Sequence, residues 1–393
     1  MSDENRIKEN LNAFTFPRLS GTEGEKKSLE LAIQKVKDLN LKPSIQDFTF
    51  STYFGRIYPK LAFLLGFLIL FLFYLNVISF IVPILLMLVS LILGVLFLLA
   101  IKPEAVKLPK VLSSSNIYIK FGSNLKNTQV NNKNNNDLIP ERVIFFMCHL
   151  DSKGQRFSIL WRVRIIRTWV FSGIIVIVIV LLKNLILPWF PLTFYIIGIV
   201  PIAANLSSGI LYLFNTTDNK SPGAIDNASG IACVFELLSH FSNTEARLKH
   251  YDMWFVFTGA EECGTMGIRN FYHLIKEFNK EESIVFNFDS IARSSYFFPD
   301  KRTSNQVNTI FNMFVKNNRD LTIKTSPIKL PFGSHTDGYY LKKKGFHGIG
   351  FGDLECYEYV HSIQDTEDKV DTSLLKRLCE TIIDNLIVFD NQI

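Results

Sequence analysis

The sequence predicts an α/β fold, a mostly parallel central sheet covered by helices, with two inserted transmembrane helical hairpins. Three observations lead there. Strand-like apolar runs alternate with helix-like stretches along most of the 393 residues, the pattern of a parallel sheet joined by helical crossovers. Two long blocks, residues 61–101 and about 168–214, are almost free of charge. His, Asp and Glu residues recur just past the strand-like runs, where open α/β sheets bind their ligands.

Taken in order, residues 21–40 space Leu29, Ile33, Val36 and Leu39 at helical intervals behind Thr22, a capping candidate. SIQDFTFS (44–51) alternates as a strand does. NIYIKFG (116–122) and ERVIFFM (141–147) read as strands around the Asn-rich loop NNKNNND (131–137). A helix near 230–241, a strand at 253–257, a helix near 268–278, a strand at 284–288 and helices near 307–315 and 370–389 follow.

As one helix, residues 61–101 would extend roughly 60 Å, about twice the hydrocarbon core of a bilayer. Two passes turning near residues 76–79 use that length. The second block, with Lys183, Pro188 and Pro191 near its middle, also divides into two helices. A buried core helix is the alternative for any apolar run, but length and lack of charge favour the membrane. The expected organisation is therefore residues 1–57 in the α/β domain, hairpins at 58–102 and 167–215, and the domain continued through 103–166 and 216–393. Each hairpin returns the chain to the side it left. Arg56, Lys60, Lys102, Lys107, Lys110, Arg156, Arg162, Arg164 and Arg167 crowd that side, against Lys183 on the other. Positive flanks stay cytoplasmic. The expectation is an integral membrane protein with about four transmembrane helices, its α/β domain in the cytosol and the lipid bilayer as a partner.

The net charge of +6 is explained by these flanks, and no aromatic-plus-basic motif suggests nucleic acid. Five cysteines without regular spacing argue against a disulfide framework and fit a reducing compartment. The polar start MSDENRIKEN leads into no signal-peptide core.

The strand ends carry the chemistry. VIFFMCHLDS ends in His149 and Asp151, WFVFTGAEECG in Glu261 and Glu262, and IVFNFDS in Asp289. SPGAIDNASG puts Asp226 just before a helix, and YVHSIQDTED puts His361 ahead of the last one. Each has an ordinary reading: His149 as a hydrogen-bonded core histidine, Asp226 and Asp289 as helix caps, Glu262 as a loop residue, His361 as a surface histidine. Together they suggest metal. Imidazole and carboxylate suit zinc, and a carboxylate bridging two cations, each flanked by one His and one carboxylate, makes a two-metal site. Such a site also explains adjacent glutamates, because coordination neutralises one charge. Glu262 can ligate while Glu261 points at water as a general base.

The motifs HLD, PGAIDNASG, GAEECGTMG, NFDS and HSIQDT resemble, in order, those of the M28 family of zinc peptidases, the aminopeptidase-like group with co-catalytic zinc. The resemblance covers most of the chain outside the apolar blocks. It implies that Asp226 bridges two zinc ions, that His149 and Asp289 hold one and Glu262 and His361 the other, and that Glu261 is the base. Asp151 is similar to the family's carboxylate that orients the ligand histidine. Thr336 and Asp337 fall at the family's SD pair, but Gly338 stands where a His is frequent and His347 where a Pro is, leaving substrate preference open. The implied activity is hydrolysis of a peptide bond, with removal of N-terminal residues foremost. A carboxypeptidase or another amidohydrolase of the family, and a non-catalytic membrane scaffold, are the alternatives, while the complete two-metal set argues against a single-zinc glutaminyl cyclase.

Overall fold

The computed structural model describes residues 2–76, 102–124, 140–299, 304–318, 322–324 and 335–393. The strands of its main sheet are β1 (Ser44–Phe50), β2 (Leu112–Phe121), β3 (Val143–His149), β4 (Asp252–Thr258), β5 (Ser283–Phe288), β6 (Ser295–Pro299), β7 (Ile323–Lys324) and β8 (His347–Gly352). They form one eight-stranded sheet in the order β1-β2-β4-β3-β5-β8-β6-β7. The central strands β4, β3, β5 and β8 run parallel, and β2 and β6 join them antiparallel. A central parallel strand is buried on both faces and reads as a continuous apolar run. Val143–His149 is such a run, and every residue in it is buried.

The helices are α1 (Glu4–Phe14), α2 (Glu23–Asp38), α3 (Tyr58–Tyr74), α4 (Ile159–Leu181), α5 (Pro191–Leu213), α6 (Ser229–Ser242), α7 (Met266–Ile275), α8 (Asn305–Asn317), α9 (Asp337–Lys343) and α10 (Thr372–Asp390). Alternate residues of β3 serve opposite faces. Val143, Phe145 and Met147 pack with Ile268, Phe271 and Ile275 of α7 and with Tyr340 and Leu341 of α9. Phe146 stacks on Phe241 of α6 and on Phe255 and Phe286 of the neighbouring strands. Each such side chain contributes about 1.5–3 kcal/mol by burial.

Two local features differ from the sequence reading. Strand β2 begins at Leu112 rather than near Asn116, because pairing with β1 carries Ser113–Ser115 into the sheet. The Ser115 hydroxyl bonds Asp47 and the Ser114 hydroxyl bonds Glu25. Thr22 stands at the start of α2, yet its hydroxyl donates back to the Leu19 carbonyl and leaves the helix uncapped by a side chain.

The chain divides into two compact units: residues 1–50, 111–154 and 218–393, which hold the sheet, and residues 51–110 and 155–217. In the second, α3, α4 and α5 pack together around Tyr74, Val176, Ile179, Val180, Phe194 and Ile202. Among the described residues three helices, Tyr53–Tyr74, Ile159–Ile186 and Pro191–Leu213, are long and apolar enough to cross a membrane. Large apolar side chains such as Phe171, Ile174, Ile175, Leu192, Ile196 and Val200 face outward from them. Helix α4 starts at Ile159, well before the expected 167, with the Ser158 hydroxyl accepting the Trp161 amide. Arg162, Arg164 and Arg167 are good helix formers, so helical structure extends past the apolar block that hydropathy detects. The expected fourth transmembrane helix, the 77–79 part of the first turn and the NNKNNND loop lie outside the described residues.

Candidate metal centre

Parallel pairing sets three strand ends side by side. His149, the last residue of β3, is level with Thr258, the last of β4. Met147 is level with Asn287 of β5, so His149 and Asp289 each stand two residues beyond that rung. Past Thr258, Ala260 takes a left-handed conformation (φ +50°) and turns the chain into the single helical turn Glu261–Cys263. Asp226 lies in the wide turn Ala224–Ala228 that enters α6, and its peptide bond to Asn227 is cis. His361, also left-handed (φ +65°), lies between β8 and α10. Residues in sparsely populated conformations persist where the surroundings over-determine them, and they cluster at functional sites.

All five sequence-predicted ligand candidates meet there. The Asp226 carboxylate lies between two imidazoles: Oδ1 is 3.0 Å from His149 Nε2 and Oδ2 is 3.1 Å from His361 Nε2. Asp289 Oδ1 is 3.7 Å from His149 Nε2, and Glu262 Oε1 is 2.8 Å from His361 Nε2. Two groups able to hold a cation result, His149–Asp226–Asp289 and Asp226–Glu262–His361, sharing Asp226.

Asp151 has more partners than the sequence suggests. His149 Nδ1 is 3.0 Å from its backbone carbonyl and 3.5 Å from its carboxylate. A carbonyl only accepts, so Nδ1 carries a hydrogen and Nε2 is the ring nitrogen that faces Asp226 and Asp289. The carboxylate itself accepts the amides of Glu261 and Glu262, each at 3.0 Å, and the Ser20 hydroxyl. It thereby anchors the turn that carries both glutamates.

Residues outside the strand-end pattern build the frame. Arg18, fully buried, donates to the carbonyls of Phe14, Phe16, Leu150, Pro222 and Gly223, tying the His149 and Asp226 segments together. Asp365 accepts the amides of Ile225 and Asp226. Glu25 accepts those of Gly21 and Ala260. Asn227 donates to the Phe288 carbonyl and accepts the Gly230 amide. Lys153 Nζ contacts Glu262 Oε2 at 2.5 Å. Asp365 sits inside a motif the sequence singles out, but nothing local marks Arg18, because its partners come from distant segments.

The electrostatics call for positive charge. Burial alone would raise the Asp226 pKa, but His149 and His361 hold it well below the usual range. Burial opposes ionisation of Glu262 too, yet His361 and Lys153 bring it down to about 2. Burial works against a charged His149, and Asp151, Asp226 and Asp289 nonetheless push its pKa well up. Glu261 moves the other way: burial first, then Glu262, Asp337 and Asp289, raise it well above an ordinary carboxyl. Buried Asp226 Oδ1 faces His149 Nε2 at 3.0 Å. So close an approach needs a positive centre between the two atoms, a proton on Nε2 or a metal ion in its place. The imidazole and carboxylate donor set fits zinc.

The sequence profile of Peptidase family M28 matches residues 207–386, a span containing Asp226, Glu261, Glu262, Asp289 and His361. The chain carries an M28 peptidase unit. Its mostly parallel sheet is shared with solved structures of that kind. An aminopeptidase from Aneurinibacillus sp. strain AM-1 superposes with a TM-score of 0.55 at 12% identity over 98% of this chain and 93% of that one. A zinc aminopeptidase from Bacillus subtilis gives 0.53 at 14% identity, covering 100% and 96%. A glutaminyl cyclase from Tannerella forsythia gives 0.53 at 12% identity, covering 98% and 99%. At these identities the likeness is one of fold. No curated protein sequence matches the chain. His149 and Asp151 precede the matched span of the M28 unit, and the parallel β3–β4 and β3–β5 pairings bring them to it.

Proposed function

We propose that this M28 peptidase is a membrane-anchored aminopeptidase that uses two zinc ions. The observation that carries the reading is the Asp226 carboxylate with one oxygen toward His149 and the other toward His361. His149, Asp226 and Asp289 would hold one ion, and Asp226, Glu262 and His361 the other. Zinc supplies Lewis acidity, polarising the scissile carbonyl and lowering the pKa of water. The protein's own groups do the rest. Glu261 takes the proton of the attacking water onto its carboxylate and delivers it to the departing amine nitrogen. Its burial beside the proposed metal ligands suits a group that must accept and return a proton within the site. Asp151 holds both glutamates in register through their amides, and Arg18 and Asp365 hold the Asp226 turn.

The apolar outward faces of the three long helices support a bilayer as the environment of the second unit. The excess of Lys and Arg on one side of the apolar blocks supports a cytosolic M28 unit. The similarity in fold to glutaminyl cyclases makes cyclisation the specific rival. One experiment separates the readings. Detergent-purified protein with zinc is incubated with two peptides that differ only in N-terminal Leu or Gln, and the products are read by mass spectrometry. Stepwise shortening from the N-terminus is expected. Shortening from the C-terminus would make it a carboxypeptidase, loss of ammonia from the Gln peptide alone a cyclase, and intact peptides a scaffold.

A further inference from the structure

We infer that Lys153 makes the two metal positions unequal, so that the one built on His149, Asp226 and Asp289 fills first and the one built on Asp226, Glu262 and His361 fills second and more weakly. The inference rests on the two-zinc reading above and goes beyond it, since nothing in that reading orders the ions. Both Glu262 oxygens are already engaged: Oε1 is 2.8 Å from His361 Nε2, and Oε2 is 2.5 Å from the Lys153 ammonium. The contact is largely sheltered from water, the two side chains being 13% and 5% exposed, so the charges are weakly screened. A dication entering there must displace a cation from its ligand or lie beside it.

The other position has the opposite character. His149 faces the carboxylates of Asp151, Asp226 and Asp289, and among the described residues no lysine or arginine forms an ion pair with any of the three. Asp226 Oδ1 is buried, and His149 Nδ1 is fixed by the Asp151 carbonyl, which aims Nε2 at Asp226 and Asp289. One position is therefore prepared for a cation, and the other is closed by an internal ammonium. Lys153 is a positioning residue: it holds Glu262 in place until a second zinc ion displaces it.

The test reads metal binding rather than turnover. The full-length protein, stripped of metal in detergent, is titrated with zinc against a competing chelator, with bound metal counted by mass spectrometry. Two separate steps are expected. Asp289→Asn should abolish the tight step and Glu262→Gln the weak one. Lys153→Met should leave the tight step alone and tighten the weak one about 10–100-fold, the scale on which groups behind metal ligands act. Lys153→Arg, which keeps the charge, should preserve the separation and serves as the control for folding. Two equal sites in the wild type, an unchanged second constant in Lys153→Met, or loss of the tight step in Glu262→Gln would each overturn the inference while the two-zinc reading stood. Zinc binding at one position only, or at neither, would end both.

Discussion

Glu261 and Glu262 are neighbours in sequence with divergent surroundings. Glu262 faces His361 and Lys153 and is held ionised, whereas Glu261 is buried among carboxylates and held toward its protonated form. Adjacent residues in one tight turn point in different directions, which allows this division. On the proposed two-zinc reading, Glu261→Gln should keep its bound zinc and lose about 10²–10⁴-fold in kcat. Glu262→Gln should lower bound zinc. Near-normal turnover in Glu261→Gln would sink the assignment of the base. Glu25 provides a pH-dependent measurement. Burial, assisted by the Asp151 charge, pushes its carboxyl up to about 7 against hydrogen bonds from Gly21, Ser114 and Ala260. A carboxyl raised on folding holds its proton more tightly in the folded chain. Its stabilising contribution is complete below about pH 4 and is lost as the pH climbs toward the raised value. The stability difference between wild type and Glu25→Gln should therefore shift against the wild type between pH 4 and 7, by on the order of 3 kcal/mol. Thermal unfolding in detergent at several pH values measures it, and a difference independent of pH contradicts the account.

Among the elements, the turn from Ala224 into α6 positions Asp226, the carboxylate proposed to be shared by two ions. Gly230 lets it approach β5: a Cβ there would lie 2.3 Å from Asn227 Oδ1 and 2.6 Å from the Phe288 carbonyl oxygen. The second neighbour is backbone and cannot swing away. Gly230→Ala should cost about 1–3 kcal/mol by overpacking. It should also weaken zinc binding, because Asn227 braces the turn through that same carbonyl. An unaltered melting temperature with unaltered zinc affinity would contradict this. The turn was legible as a motif, PGAIDNASG, before any geometry. Strand β8 was not legible as a strand, since His347–Gly352 holds Gly348, Gly350 and Gly352, residues of poor strand propensity. Pairing with β5 on one side and β6 on the other overrides that propensity.

For the whole molecule, the contrast is between a unit with an aromatic-rich buried core and a unit whose large apolar side chains face outward. If the second lies in a bilayer, the full chain should stay with the membrane pellet through an alkaline carbonate wash. In sealed cells the M28 unit should resist added protease, and in inverted vesicles it should be cut. Release into the wash would contradict membrane integration, and the reverse protease pattern would contradict the cytosolic orientation.

The sequence alone determined the α/β class, the apolar blocks and the five ligand candidates, because each is local: an alternation, a length without charge, or a polar residue at the end of an apolar run. Tertiary structure decided what is not local. The β4-β3-β5 order brings His149, Glu262 and Asp289 to one edge. Arg18 collects carbonyls up to 205 residues away in sequence. The Asp151 carboxylate serves the glutamate turn 110 residues further on. Such roles are set by which backbone groups a buried side chain must satisfy, and no spacing along the chain records them.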